Sequence, residues 1–199
     1  MYSGDNSVDF SGTDFNPRLK ELYNEMDVVY KEASFQAGFN CEGCDGTKCC
    51  TVDLIVHTFS EMLYMRRGVR ALDEPTKLEI EHRSLQIVEL KRLDSSGDPY
   101  RNSVCAANFD GRCAIYEYRP MICRLAGIPH FIDNPNKNRI SGTGCPRFET
   151  DIRHNRPEVQ IDRTPFYRRM ADLELEMIYM RGKRTKRLTI SEILSSSSL

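Results

Sequence analysis

The chain has no tryptophan, no global excess of either charge and no long apolar run. No hydrophobic stretch approaches the roughly 18 residues needed to cross a bilayer, so a membrane role is not expected. With 28 basic and 29 acidic residues the formal net charge is −1, which gives no overall field to attract nucleic acid, and none is expected as a partner. Met1 to Asn16 is polar, without the basic segment and apolar core of an export signal. A reducing, cytoplasmic setting is therefore expected. No phosphate-binding glycine loop, dinucleotide fingerprint or serine-nucleophile elbow is present, so the sequence names no catalytic residue.

What the chain does have is eight cysteines in 199 residues. Four fall in Cys41-x2-Cys44-x4-Cys49-Cys50, and Cys105, Cys113, Cys123 and Cys145 follow after a gap of 54 residues. In a reducing compartment, thiols this dense point to metal rather than to disulfides. A Cys-x2-Cys turn lets two sulfurs converge on one centre, a spacing that zinc and iron–sulfur sites share. For the adjacent Cys49 and Cys50, an extended backbone would send the side chains to opposite sides, so the pair is expected to serve two centres. All eight cysteines are candidate ligands, for iron–sulfur clusters or iron, with zinc in two four-cysteine sites as the alternative.

Helices should surround this framework. Asn16-Pro17 reads as a cap and first turn, and Leu19, Leu22, Met26, Val29 and Ala33 form one apolar stripe up to Gly38. Thr51–Val56 reads as a short strand. Thr58 and Glu61 match a capping box for a helix through Met62, Leu63 and Met65, stopping near Gly68. Another helix runs from Glu74 to about Leu93, with Leu78 and Leu85 among its apolar residues. Asp110-Gly111 marks a β-turn, and 127–146 reads as irregular. Thr164-Pro165 opens a helix lined by Phe166, Met170, Leu173 and Met177 that ends near Gly182. The expected fold is mainly α with short β and irregular segments, its helices packed around a cysteine-rich centre. Residues 1–15 read as a leader, 16–182 as a single domain, and 183–199 as a frayed basic and serine-rich tail.

The run Cys113-Ala114-Ile115-Tyr116-Glu117-Tyr118-Arg119-Pro120-Met121-Ile122-Cys123-Arg124 resembles the C-x-I-Y-x-x-R-P-x-x-C-R segment of the YkgJ-like cysteine-cluster family, whose members also carry a CxxCxxCC motif. The resemblance covers residues 41–146, and Thr58 and Glu61 resemble the family's threonine–glutamate pair. Four residues rather than two separate Cys44 from Cys49. The resemblance implies zinc or iron chelation by the eight cysteines, and some members are described as iron–sulfur oxidoreductases. Redox chemistry or modification of a protein partner would fit, and so would a zinc-stabilised interaction module without catalytic activity.

Arg119 and Arg124 flank Cys123 and could donate to cluster or thiolate sulfur, offsetting a charge of about −2 at a four-thiolate divalent site. His130, seven residues after Cys123, could substitute for a cysteine, although eight thiolates already complete two sites. The basic run 183–187 is read as complementing a helix dipole.

Overall fold

The computed structural model describes residues 17–41, 48–50, 55–93, 103–134, 138–156 and 158–195. Cys44 and most of the expected strand at 51–56 lie outside the described residues. The fold is mainly helical: α1 (Pro17–Ala37), α2 (Phe59–Arg70), α3 (Glu74–Leu93), α4 (Met121–Arg124), α5 (Pro146–Asp151), α6 (Thr164–Arg181) and α7 (Ile190–Leu194). Between them run β1 (Asn108–Phe109), β2 (Arg112–Cys113), β3 (His130–Ile132), β4 (Ile140–Gly142) and β5 (Ile161–Asp162).

The apolar stripes decide which faces are inside. Leu19, Leu22, Met26 and Ala33 of α1 are buried, as are Phe166, Met170, Leu173 and Met177 of α6. Each large side chain buried this way contributes roughly 1.5–3 kcal/mol. Gly38, at φ +65°, follows α1, and Gly182, also at +65°, caps α6, both in the left-handed region that favours glycine. Thr58 caps α2 in a reciprocal box with Glu61.

The buried apolar residues form two groups, and α4 stands between them. Met121 and Leu125, four apart on one face, join the group of α1 and α6. Cys123 packs instead with Cys105, Cys113 and Met65 in the group of α2, α3 and α7.

In α3, Ile80, Ser84 and Ile87 are buried while Leu78 and Leu85 are exposed. α2 ends at Arg70, near the expected stop, and Tyr118 lies against it at Gly68: a Cβ there would sit 2.6 Å from Tyr118 Cβ. Two expectations change. The stretch expected to be irregular contains the β3–β4 hairpin, with β5 parallel to β3. The segment expected to fray folds back: the N–H of His57 donates to the Leu188 carbonyl at 2.9 Å, and α7 packs on α2 and α3.

Candidate metal centre

Cys50, Cys105, Cys113 and Cys123 are brought together by four short segments. Cys50 ends a 3-10 turn, Lys48–Cys50, and its carbonyl accepts from the Cys105 N–H at 2.7 Å. Cys113 ends β2, opposite Asn108 of β1. The β1–β2 turn places Asp110 at φ 49° and Gly111 at φ 81°, and the Asn108 side chain accepts from the Gly111 N–H at 2.9 Å.

Cys123 sits on α4, whose start is fixed from a distance. Pro120 supplies the extended residue before the helix, and the Met121 N–H donates to Glu61 Oε1 at 2.9 Å. Glu61 Oε2 accepts from the N–H and the hydroxyl of Thr58, both at 3.1 Å, and faces His57 Nδ1 at 3.5 Å. Burial works to raise the Glu61 pKa, but His57 and the N–H groups of Met121 and Thr58 outweigh it and hold the carboxyl below its ordinary range. The Glu61 carboxylate thus ties the α2 cap to the helix carrying Cys123.

All seven described cysteines are thiols. The thiols of Cys105, Cys113 and Cys50 lie near enough to Cys123 to act on it electrostatically. Burial first, then those three neighbours, push its pKa well up. Burial raises Cys113 also. Cys50 is pulled down to about 6, by a hydrogen bond from Cys49 first and then by the Asn108 side chain and the Arg119 charge, against its burial. Arg119 bears on Cys50, Cys113 and Cys123 alike. Its guanidinium lies 3.4 Å over the Tyr116 ring and its Nε donates to the Tyr116 carbonyl at 2.7 Å. Among the described residues, no three Cys, His, Asp or Glu side chains converge tightly enough to hold a single metal ion as they stand.

A second neighbourhood gathers Cys41 and Cys145 around Tyr30. The Tyr30 hydroxyl is 3.8 Å from Cys41 Sγ, and burial, then Cys41, then Cys145 raise its pKa. Cys145 caps α5, its Sγ accepting from the Phe148 N–H at 3.4 Å.

Two expectations about this region change. The backbone at Cys49 and Cys50 is a 3-10 turn rather than extended, and the two thiols share a hydrogen bond, which removes the geometric ground for sending them to separate centres. The Arg124 guanidinium is committed away from sulfur. Its Nη1 donates to Asp27 at 2.7 Å, Nε to the Arg119 carbonyl at 2.9 Å and Nη2 to the Glu117 carbonyl, while Tyr23 stacks beneath it at 4.3 Å. Arg124 therefore shapes the turn that carries Arg119 and Cys123.

His130 stands on β3 with its ring against Gly142, and burial, with Arg163 nearby, takes its pKa down to about 4. Tyr30 and Arg163 carried no signal in the sequence as participants, and Asn108 was missed. Arg163, which donates to the Leu125 carbonyl just after α4, is recognisable only once β5 and α4 are seen side by side. Asn108 could have been found as the turn residue of Asn108-Phe109-Asp110-Gly111.

Comparison of the chain with family models, curated proteins and solved structures finds no match in any of the three.

Proposed function

We propose that this is a metal-binding protein in which Cys50, Cys105, Cys113 and Cys123 form a four-thiolate centre with Arg119 beside it. The observation that carries this reading is the gathering of three thiols around the half-buried Cys123, with Cys105, Cys113 and Cys123 lying 55 to 73 residues beyond Cys50 in the sequence. Thiols crowded together, and half-buried, repel one another once ionised, and a cation held among them removes that penalty. The donor set is all sulfur, which selects iron–sulfur clusters, iron or zinc over harder ions. The cationic Arg119 suits an iron–sulfur centre, where charge and hydrogen bonds near sulfur set the potential. Bound there, such a cluster would supply one-electron chemistry, toward a small substrate or a protein partner. Cys41 and Cys145, with Cys49 and Cys44, are the remaining candidate ligands.

Anaerobic purification followed by metal analysis and a visible spectrum tests the proposal. Iron and sulfide with visible absorption that bleaches on reduction are expected. Colourless protein with stoichiometric zinc would establish the zinc-stabilised module instead. Protein that binds neither metal at stoichiometric levels would refute the thiolate centre.

A further inference from the structure

Arg181, Lys183, Arg184, Lys186 and Arg187 place five cations in seven residues, and no acidic residue occurs from Met177 to Ser191. Only Arg181 lies in the last turn of α6, where the helix dipole favours a cation. Its guanidinium is used internally, donating to Thr185 and stacking 3.9 Å over Phe59. Lys186 meets Glu192 at 3.6 Å. Lys183, Arg184 and Arg187 are exposed beyond the helix, so dipole complementation does not account for them. The flanking carboxylates are already engaged: Glu176 pairs with Arg18 at 2.6 Å, and Glu192 accepts from the Thr189 N–H at 2.9 Å.

The loop is anchored at both ends. The Gly182 N–H donates to the Tyr179 carbonyl at 3.2 Å, and Leu188 is bridged to His57. Three cations on an anchored loop cost less to order on binding than the same charges on a free tail. Beside them, on the last turns of α6, Tyr179 is 88% exposed and Met180 57% exposed. Both are large apolar side chains turned to solvent.

We propose that the Tyr179–Arg187 surface binds single-stranded nucleic acid, its cations on phosphates and Tyr179 stacked on a base. The near-zero net charge of the whole chain does not weigh against this, since that sum hides a local concentration of one sign. The exposed tyrosine beside the cations favours nucleic acid over an acidic peptide, because every base offers a face for stacking. This inference is independent of the metal centre.

The test is fluorescence anisotropy of the full chain with a labelled 15-nucleotide single-stranded RNA of mixed sequence, from 50 to 300 mM salt. Three phosphate contacts predict a log–log salt slope of about −2. The triple variant Lys183→Glu, Arg184→Glu, Arg187→Glu should lose at least about tenfold in affinity, and Tyr179→Ala about tenfold by lost stacking. Circular dichroism of both variants should be unchanged, since all four side chains are exposed. Absence of binding at 50 mM salt overturns the proposal, as does binding that the triple variant retains. Binding that is insensitive to Tyr179→Ala and equalled by heparin would reduce the surface to a plain polyanion contact. Sedimentation with phosphatidylserine vesicles, without RNA binding, would assign it to a membrane instead.

Discussion

Glu61 holds the N–H of Met121 at 2.9 Å across sixty residues of sequence, and through it the α2 cap sets the position of Cys123. The carboxylate is 4% exposed, so nothing from solvent replaces it when it is removed. Glu61→Ala should lower stability by roughly 2–4 kcal/mol, because buried N–H groups are orphaned. Glu61→Gln, which keeps one oxygen for Met121, should cost less. Urea midpoints of the two variants check the order.

Gly68→Ala sets two effects against each other. Alanine in a helix gains about 1 kcal/mol over glycine. The new methyl would stand 2.6 Å from both Cβ and Cγ of Tyr118, and Cβ cannot swing away without moving the backbone that leads to Cys123. Overpacking of this kind costs typically 1–3 kcal/mol, so the variant should be less stable despite its better propensity. A lower melting temperature is the expected reading.

His130 gives the fold an acid sensitivity. In the unfolded chain its imidazole takes a proton near pH 6.5, but burial delays this to about 4 in the folded state. Between those values the unfolded state binds more protons, so stability is full above pH 6.5 and falls as the pH drops towards 4. His130→Gln should flatten the decline between pH 6.5 and 5, before most carboxylates titrate. Denaturant midpoints across that range measure the slope.

The two arginines near Cys123, Arg119 and Arg124, should behave differently. Arg119→Gln removes the charge beside the thiols and should weaken metal retention by about tenfold with little loss of fold. Arg124→Lys keeps the charge but not the fork that serves Asp27 and two carbonyls, and should cost about 2 kcal/mol of stability. Chelator competition and urea unfolding, run on both variants, separate the roles.

Cys105→Ser should abolish the proposed centre, since Cys105 is one of the three thiols around Cys123, while Cys145→Ser should leave it in place. Metal stoichiometry of the two variants decides whether the grouping is right. Equal loss in both would merge the two neighbourhoods into one site.

Much of the helical framework was legible. The stripes of α1 and α6 have a single apolar face, α1 opens at Pro17, and the Thr58–Glu61 capping box fixes where α2 starts. α3 was harder because it has two apolar faces, Leu78 with Leu85 and Ile80 with Ile87, and the choice is made by α7 packing from a hundred residues away. α7 itself had a readable start, Thr189 with Glu192 in a capping box, obscured by the serine run that follows. The strands β3 and β4 have three residues each, too few for alternation to register. The cysteine spacing marked candidate ligands but not their grouping, which depends on a 3-10 turn at Cys49-Cys50 and on the Cys50–Cys105 backbone contact.

That backbone contact also imposes an order of events on a growing chain. A chain synthesised from its N-terminus presents Cys49 and Cys50 well before Cys105, and Cys123 later still, while Glu61 waits for Met121. Closing such long loops is entropically slow compared with forming α1 or α2. The early thiols therefore pass through a period without their native neighbours, open to stray oxidants and to adventitious metal. Loading of the proposed centre would have to follow the docking of α4, so the supply of reduced thiols and metal during synthesis, more than the final stability of the fold, would govern how much metal-loaded protein forms.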